Sequence, residues 1–328
     1  MAPADRNGIA VCKSRARRRL CLLRAPGTLA LQELGDCQTV GNRATRRLKR
    51  AQEQVLLRGP REGHCVLCGV FGKLTRDHVP PRGCGNASDM VLRTLVDVAG
   101  PDACGPAAIS QGGAHFRTIC ETCNTRLLGA EYDPELAKMC TVVSGCARAA
   151  YESRLILPEN VLVWVRPQRA ARAVVGHALA ANAVREVIQP PVDAPFPDAL
   201  RQYFLDPAKP LPEKVDIYFW VYPSRRQVIV KGAAKASLAS LARGRFLLGD
   251  IIKFFPFGFW ILWDKPKLAR IPHPLLVPDR SMGIDDAVQM TISLRRIPPP
   301  GFPEHPADDE MMLLSDDSTS VGEVRNRV

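Results

Sequence analysis

The chain has 328 residues, 46% hydrophobic and 24% charged, enough for more than one packed core. Its longest apolar run, Phe254 to Trp263, is broken by Pro256 and Gly258 and falls far short of a membrane span. The formal charge of +12 is uneven: residues 1–60 carry 13 Lys and Arg against 4 acids, whereas the other 268 carry 32 against 29. Eleven cysteines follow no secretory leader, because Arg15, Arg17, Arg18 and Arg19 precede only a short apolar run, Leu20 to Leu23. The expectation is a cytoplasmic protein with reduced thiols, no membrane contact, and cysteines that favour metal over disulfides.

Residues 1–60 read as a basic, partly disordered arm with one helix. Residues 1–41 show no sustained periodicity, and Asn42 then caps a helix from Arg43 to Leu57 with Leu48, Ala51 and Val55 on one face. Its other faces carry Arg43, Arg46, Arg47, Lys49 and Arg50, which suit either a phosphate backbone or a solvated surface.

Residues 61–152 form a metal module. Cys65 to Gly69 and Val70 to Thr75 predict a short hairpin with Asp77 and His78 on its second strand, halted by Pro80-Pro81. Residues 82–113 read as an insertion loop without regular elements, ending at Gly112-Gly113. After His115 to Ile119 and Cys120 to Cys123, a short helix starts at Asn124 and breaks at Gly129. Asp133 caps a second helix with Pro134 at its first position, and Leu136, Met139, Val143, Ala147 and Ala150 form its core stripe.

Residues 153–300 read as an α+β domain of unknown role, with no catalytic motif. Val161 to Val165, Lys214 to Tyr222, Gln227 to Lys231, Phe246 to Phe255, Phe259 to Trp263 and Val288 to Leu294 are strand-like, and 170–186 and 197–205 are helical. Pro298-Pro299-Pro300 closes the folded region, and 301–328 is an acidic disordered tail that folds back on the basic arm or stays free.

Two pairs, Cys65-x-x-Cys68 and Cys120-x-x-Cys123, lie 51 residues apart and supply four thiolates, a full tetrahedral shell for structural zinc. Such a shell leaves no position for a reacting water. Between the pairs, Asp77 offers a hard-metal carboxylate beside the imidazole of His78. His64 is read as an exposed turn residue rather than a fifth ligand, and Cys140 and Cys146 as buried apolar residues. Cys84 and Cys104 lack metal-site spacing, and Arg82, Arg117 and Arg126 face either phosphates or solvent. Tyr132-Asp133 is assigned to the helix start.

The order Cys-x-x-Cys, Asp77-His78, Gly112-Gly113, Cys-x-x-Cys-Asn124 resembles the zinc-knuckle, four-cysteine branch of the HNH, or ββα-metal, endonucleases. Leu74-Thr75-Arg76-Asp77-His78-Val79-Pro80-Pro81 is similar to a signature of one HNH subgroup, and the likeness covers residues 62–135 only. It implies a zinc-stapled ββα-metal, treble-clef-like module in an α+β chain. It also implies that His78 is the general base and that Asp77 and Asn124 hold one catalytic Mg²⁺ or Mn²⁺. His115 stands where the family places its middle Asn; it either braces the hairpin loop, adds a softer ligand, or marks a decayed site. The function expected from the resemblance is metal-dependent hydrolysis of DNA. The other reading is a zinc-stapled nucleic-acid-binding protein without catalysis.

Overall fold

The computed structural model describes residues 10–11, 20–24, 59–86, 88–94, 108–154, 156–181, 187–307, 309–315 and 320–324. In chain order these give β1 (Ala10–Val11), β2 (Leu20–Arg24), β3 (Glu62–His64), β4 (Phe71–His78), β5 (Met90–Thr94), β6 (Ala108–Ser110) and β7 (His115–Cys120). A π-helical segment, Thr122–Tyr132, runs directly into α1 (Asp133–Glu152). Then follow β8 (Asn160–Val165), α2 (Pro167–Ala180), α3 (Pro195–Leu205), β9 (Val215–Val221), β10 (Gln227–Ser237), α4 (Leu238–Leu241), β11 (Leu247–Phe254), β12 (Phe257–Trp263), β13 (Val288–Ser293), β14 (Glu310–Ser315) and β15 (Ser320–Val324). The fold is α+β, as expected, with a four-cysteine cluster on one side.

A large antiparallel sheet has the order β1-β2-β14-β10-β11-β12-β9, with β15 bridging β10 to β5 and β6 beyond. Alternation along β9 explains its place near the centre of the core. Val215, Ile217, Phe219 and Val221 face the main core, while Tyr218, Trp220 and Tyr222 pack on the opposite side. Against the main-core face lies α2, whose run of Ala170, Ala171, Ala173, Val174, Val175, Ala178 and Leu179 is buried on every side. Gly176 lets it approach closely, since a Cβ there would meet Phe204 at 2.6 Å and Leu128 at 2.7 Å. Arg172 on the same helix is fully buried. Its guanidinium donates to the carbonyls of Gln168, Asp206, Pro207 and Lys209 and lies 4.0 Å from the Tyr203 ring centroid.

The zinc-side hairpin, β3-β4-β7, is a separate three-stranded sheet, yet it shares this core. One buried apolar cluster runs from Cys65 and Leu74 through Leu128, Tyr132 and Val174 to Phe259 and Leu294. The boundary drawn at residue 152 therefore does not separate two cores.

Several sequence expectations are corrected. Residues 82–113 contain β5 and β6, which join the large sheet through β15. No helix break occurs at Gly129: the Asp133 N–H reaches the Leu128 carbonyl, and Asp133 is a mid-helix residue with no capping role. The region beyond Pro300 is not a free tail. Met312 of β14 is buried between β10 and β2, and Glu304 is buried against Lys253, Nζ to Oε1 2.5 Å. In the basic arm, β1 and β2 extend the same sheet, whereas the helix expected at 43–57 lies outside the described residues.

Candidate functional site

The first knuckle forms where β3 hands over to β4. Gly69, at φ +77°, turns the chain so that its N–H reaches the Cys65 carbonyl at 2.8 Å, and the Cys65 N–H reaches the Val70 carbonyl at 3.0 Å. The second knuckle joins the end of β7 to the first helical turn. The antiparallel register Leu74↔Cys120 brings the two together. All four sulfurs lie within 4.8 Å of one another, with Cys68 and Cys120 at 3.7 Å. Hydrogen bonds from the Cys123 and Cys65 thiols hold Cys68 down at about 2. The same hydrogen bonds, from Cys65 first, push Cys123 far up. Such a cluster carries one thiolate readily and further thiolates only with a cation among them, so the donor set fits a metal such as zinc. His64 stands outside the shell, but it is a half-buried residue of β3 and not the exposed turn residue expected, its Nδ1 3.0 Å from the Gly69 carbonyl oxygen.

At the far end of the hairpin, β4 and β7 place His78 opposite His115 and Asp77 opposite Phe116, after a register shift between Thr75 and Asp77. Strand alternation then divides the Asp-His dipeptide. Asp77 points into the protein, where Oδ2 lies 3.0 Å from His177 Nδ1 on α2, and His177 Nε2 lies 2.8 Å from Asp133 Oδ1. Burial pushes the Asp77 carboxyl up. The two carboxylates outweigh burial at His177 and hold its imidazolium well above the usual histidine range. Asn124 is engaged elsewhere: its amide donates to Thr75 Oγ1 and to the Arg76 carbonyl, both at 3.0 Å, bracing the irregular stretch of β4. Asp77 and Asn124 thus do not meet in a shared grip. Among the described residues, the four cysteines are the sole group of three or more His, Cys, Asp or Glu placed to hold an ion.

His78 remains on the outer face, half-buried, its ring centroid 5.7 Å from that of His115. Burial first, then Arg82, lowers its titration, opposed by Asp77 and by a hydrogen bond to the Gly112 backbone. A ring nitrogen held by a backbone carbonyl leaves the other as an acceptor. His115 is buried, its Nδ1 3.0 Å from Ser110 Oγ and 3.2 Å from the Gly113 carbonyl. Asn86 braces the loop between β4 and β7. Its amide donates to the Pro80 and Ala114 carbonyls at 2.7 and 2.9 Å, and its Oδ1 accepts from the Ala114 N–H at 3.0 Å. Gly113, at φ +106°, makes room for it, since a Cβ there would lie 2.4 Å from the Asn86 carbonyl oxygen.

Around His78 lies a band of positive charge. Arg82 and Arg76 act electrostatically on His78, and Arg76 and Arg61 act on Arg117. Burial lowers Arg117, and the neighbouring arginines lower it further. None of the four has a carboxylate partner among the described residues. Arg126 is also exposed.

Comparison with family models, curated proteins and solved structures finds no match to this chain. The likeness to HNH enzymes therefore rests on its motif residues alone.

Four participants escaped the sequence. His177 sits singly in an alanine-rich helix, and nothing in its neighbours marks it as the partner of a residue 100 positions away. Asn86 follows Gly85 in what reads as irregular chain. Arg61 and Arg76 become significant only once the strands pair. Cys84 and Cys140 are buried side by side, and hydrogen bonding between them followed by burial raises the Cys84 thiol; Cys146 is half-buried, and Cys104 lies outside the described residues. No helix among the described residues is long and apolar enough to cross a membrane.

Proposed function

We propose that this protein binds nucleic acid across the β4–β7 hairpin and cleaves its phosphodiester backbone, with His78 as the general base. One observation carries the reading: a partly exposed imidazole stands within the field of arginines that have no carboxylate partner among the described residues. Unpaired guanidiniums packed near one another repel, and a polyanion relieves that repulsion while accepting forked hydrogen bonds. A neutral imidazole among them takes a proton from the attacking oxygen. The arginines stabilise the negative charge that builds on the phosphoryl oxygens. Zinc on Cys65, Cys68, Cys120 and Cys123 is structural in this reading, fixing the hairpin to the helix that follows. A reducing, cytoplasmic compartment suits these free thiols.

Magnesium or manganese, which the resemblance implies along with a DNA substrate, does not fit the side chains as they stand. Asp77 is bonded to His177, and Asn124 to β4.

The test incubates zinc-replete protein with labelled DNA and RNA, with added Mg²⁺, Mn²⁺ or neither, omitting chelators that would strip the thiolate site. His78→Ala should slow cleavage by about 10²–10⁴-fold while leaving binding intact. Cleavage by His78→Ala at the parent's rate overturns the proposal. The engagement of Asp77 favours a second reading, a zinc-stapled binding protein without catalysis. That reading expects salt-sensitive retention of nucleic acid, no cleavage under any ion, and a salt slope reduced by about 1 for each arginine removed.

A further inference from the structure

We infer that the strand cleaved at His78 is RNA, broken by internal attack of its ribose 2′-oxygen with no divalent ion in the step. The inference rests on the reading of His78 given above and names its substrate.

Hydrolysis of a DNA strand needs an external water that is held in line and deprotonated, commonly on a metal ion. The side chains suited to holding such an ion here are engaged. The Asp77 carboxylate faces inward, 3.0 Å from His177, in a buried chain that ends on Asp133. The Asn124 amide spans Thr75 and Arg76. The second imidazole, His115, lies across from His78 with its ring centroid 5.7 Å away, but it is buried, with its Nδ1 near Ser110 Oγ and the Gly113 carbonyl. What remains at the surface is one base and a set of cations.

That inventory suits a substrate bringing its own nucleophile. In RNA the 2′-hydroxyl is already tethered beside the phosphorus, so the entropy of bringing water into line is not required. A ring nitrogen of the half-buried His78 takes the 2′-hydroxyl proton. The O2′–P bond forms as the P–O5′ bond breaks, and the departing 5′-oxygen takes a proton from water. The resulting hydroxide recovers the proton from His78. The products are a 2′,3′-cyclic phosphate and a 5′-hydroxyl, with no change of oxidation state. Arg76 and Arg82, whose charges act on His78, carry the added charge of the five-coordinate phosphorus, and Arg117 on β7 and Arg61 just before β3 extend the field for flanking phosphates.

The experiment pairs a single-stranded RNA oligonucleotide with the same sequence carrying 2′-deoxyribose throughout, using full-length zinc-loaded protein in buffer freed of Mg²⁺ and Mn²⁺ by resin. The expected result is cleavage of the RNA alone, at a rate unchanged by added Mg²⁺. Mass spectrometry should show cyclic phosphate ends, and His78→Ala purified alongside should lose at least about 100-fold, which excludes a contaminating ribonuclease. Asp77→Asn, if it keeps its zinc, should retain cleavage within a few-fold. Cleavage of the all-deoxy strand that depends on Mg²⁺ or Mn²⁺ and vanishes in Asp77→Asn overturns this inference while leaving His78 as the base. Binding of both strands with cleavage of neither overturns the inference and the catalytic reading together. Should Asp77→Asn fail to fold, the ion dependence and the deoxy substrate decide the matter on the parent protein.

Discussion

In an extended strand, successive side chains leave on opposite faces, and that parity separates Asp77 from His78. Asp77 is buried and His78 reaches the surface, so a dipeptide that reads as one catalytic unit serves two purposes. The inward half is an acid–imidazolium–acid chain, Asp77–His177–Asp133, with Cys84 also facing His177. His177→Gln leaves an amide donor for one carboxylate and removes the positive charge between the two, and it should cost about 3 kcal/mol or more near neutrality. The sign with pH follows from the raised folded value of His177. Its contribution is complete below about 6.5, where the unfolded imidazole is also protonated, and is lost as pH rises through the higher folded value. The gap in thermal stability between parent and His177→Gln should therefore narrow on the alkaline side; a gap that widens there contradicts the charge assignment. Asn86 supplies a second test at this scale, through its contacts with Pro80, Ala114 and Gln227. Asn86→Ala leaves buried carbonyls unpaired at about 1–3 kcal/mol each, and Asn86→Asp sets a carboxylate against two of them. Denaturation by urea should rank Asp as the more damaging change. The reverse order would mean that the amide's donors do not hold the loop.

At the scale of elements, local pattern succeeded where an element's neighbours in sequence are also its neighbours in space. β11 and β12 run apolar and pair consecutively around a tight connection, so their residue types suffice, while β9 declares itself by its own apolar and aromatic run although its partner is the non-consecutive β12. The strands missed are those whose partners are distant. β5 pairs with the distant β15, Met90 with Val324, and both segments are too short to declare themselves without each other. Gly129 and Asp133 misled for a related reason: burial of Leu128 and Tyr132 keeps the chain helical across residues that, in isolation, read as a break and a cap. For the site, both knuckles and the exposed His78 were readable from spacing, whereas the engagement of Asp77 depends on α2 and was not. The acidic C-terminal stretch is the case with the clearest consequence. Its β14 covers the second half of β10, with Lys235 and Glu310 paired at 2.8 Å, and its β15 covers the first half. Deleting residues 309–328 should expose β10 as an unpaired edge. Amide exchange across Gln227–Ser237 should then lose protection that a truly free tail would leave untouched.

For the molecule as a whole, the zinc cluster and the large sheet meet in one continuous core, and this decides how the protein comes apart. Cys65 and Cys123 are themselves members of the buried cluster that includes Val174, Phe204 and Phe259. The Tyr132 hydroxyl donates to the Phe204 carbonyl at 3.2 Å, and the Thr118 hydroxyl donates to the Ala180 carbonyl, so the hairpin and its helix are bonded to α2 and α3 as well as packed on them. A separable zinc domain would unfold on its own and release its metal in a distinct step. Here, opening the hairpin would strip Leu128 and Tyr132 from the core and leave the Asp77 and His177 charges without each other, a cost the rest of the fold shares. Heating the zinc-loaded protein should therefore give one transition by circular dichroism, with a metal-sensitive dye reporting zinc release at the same midpoint. Cys68→Ser, which removes a ligand at the half-buried side of the cluster, should lower that single midpoint while also reducing bound zinc. Two resolved transitions, with zinc leaving in the first and the sheet persisting to the second, would show that the shared core does not couple them.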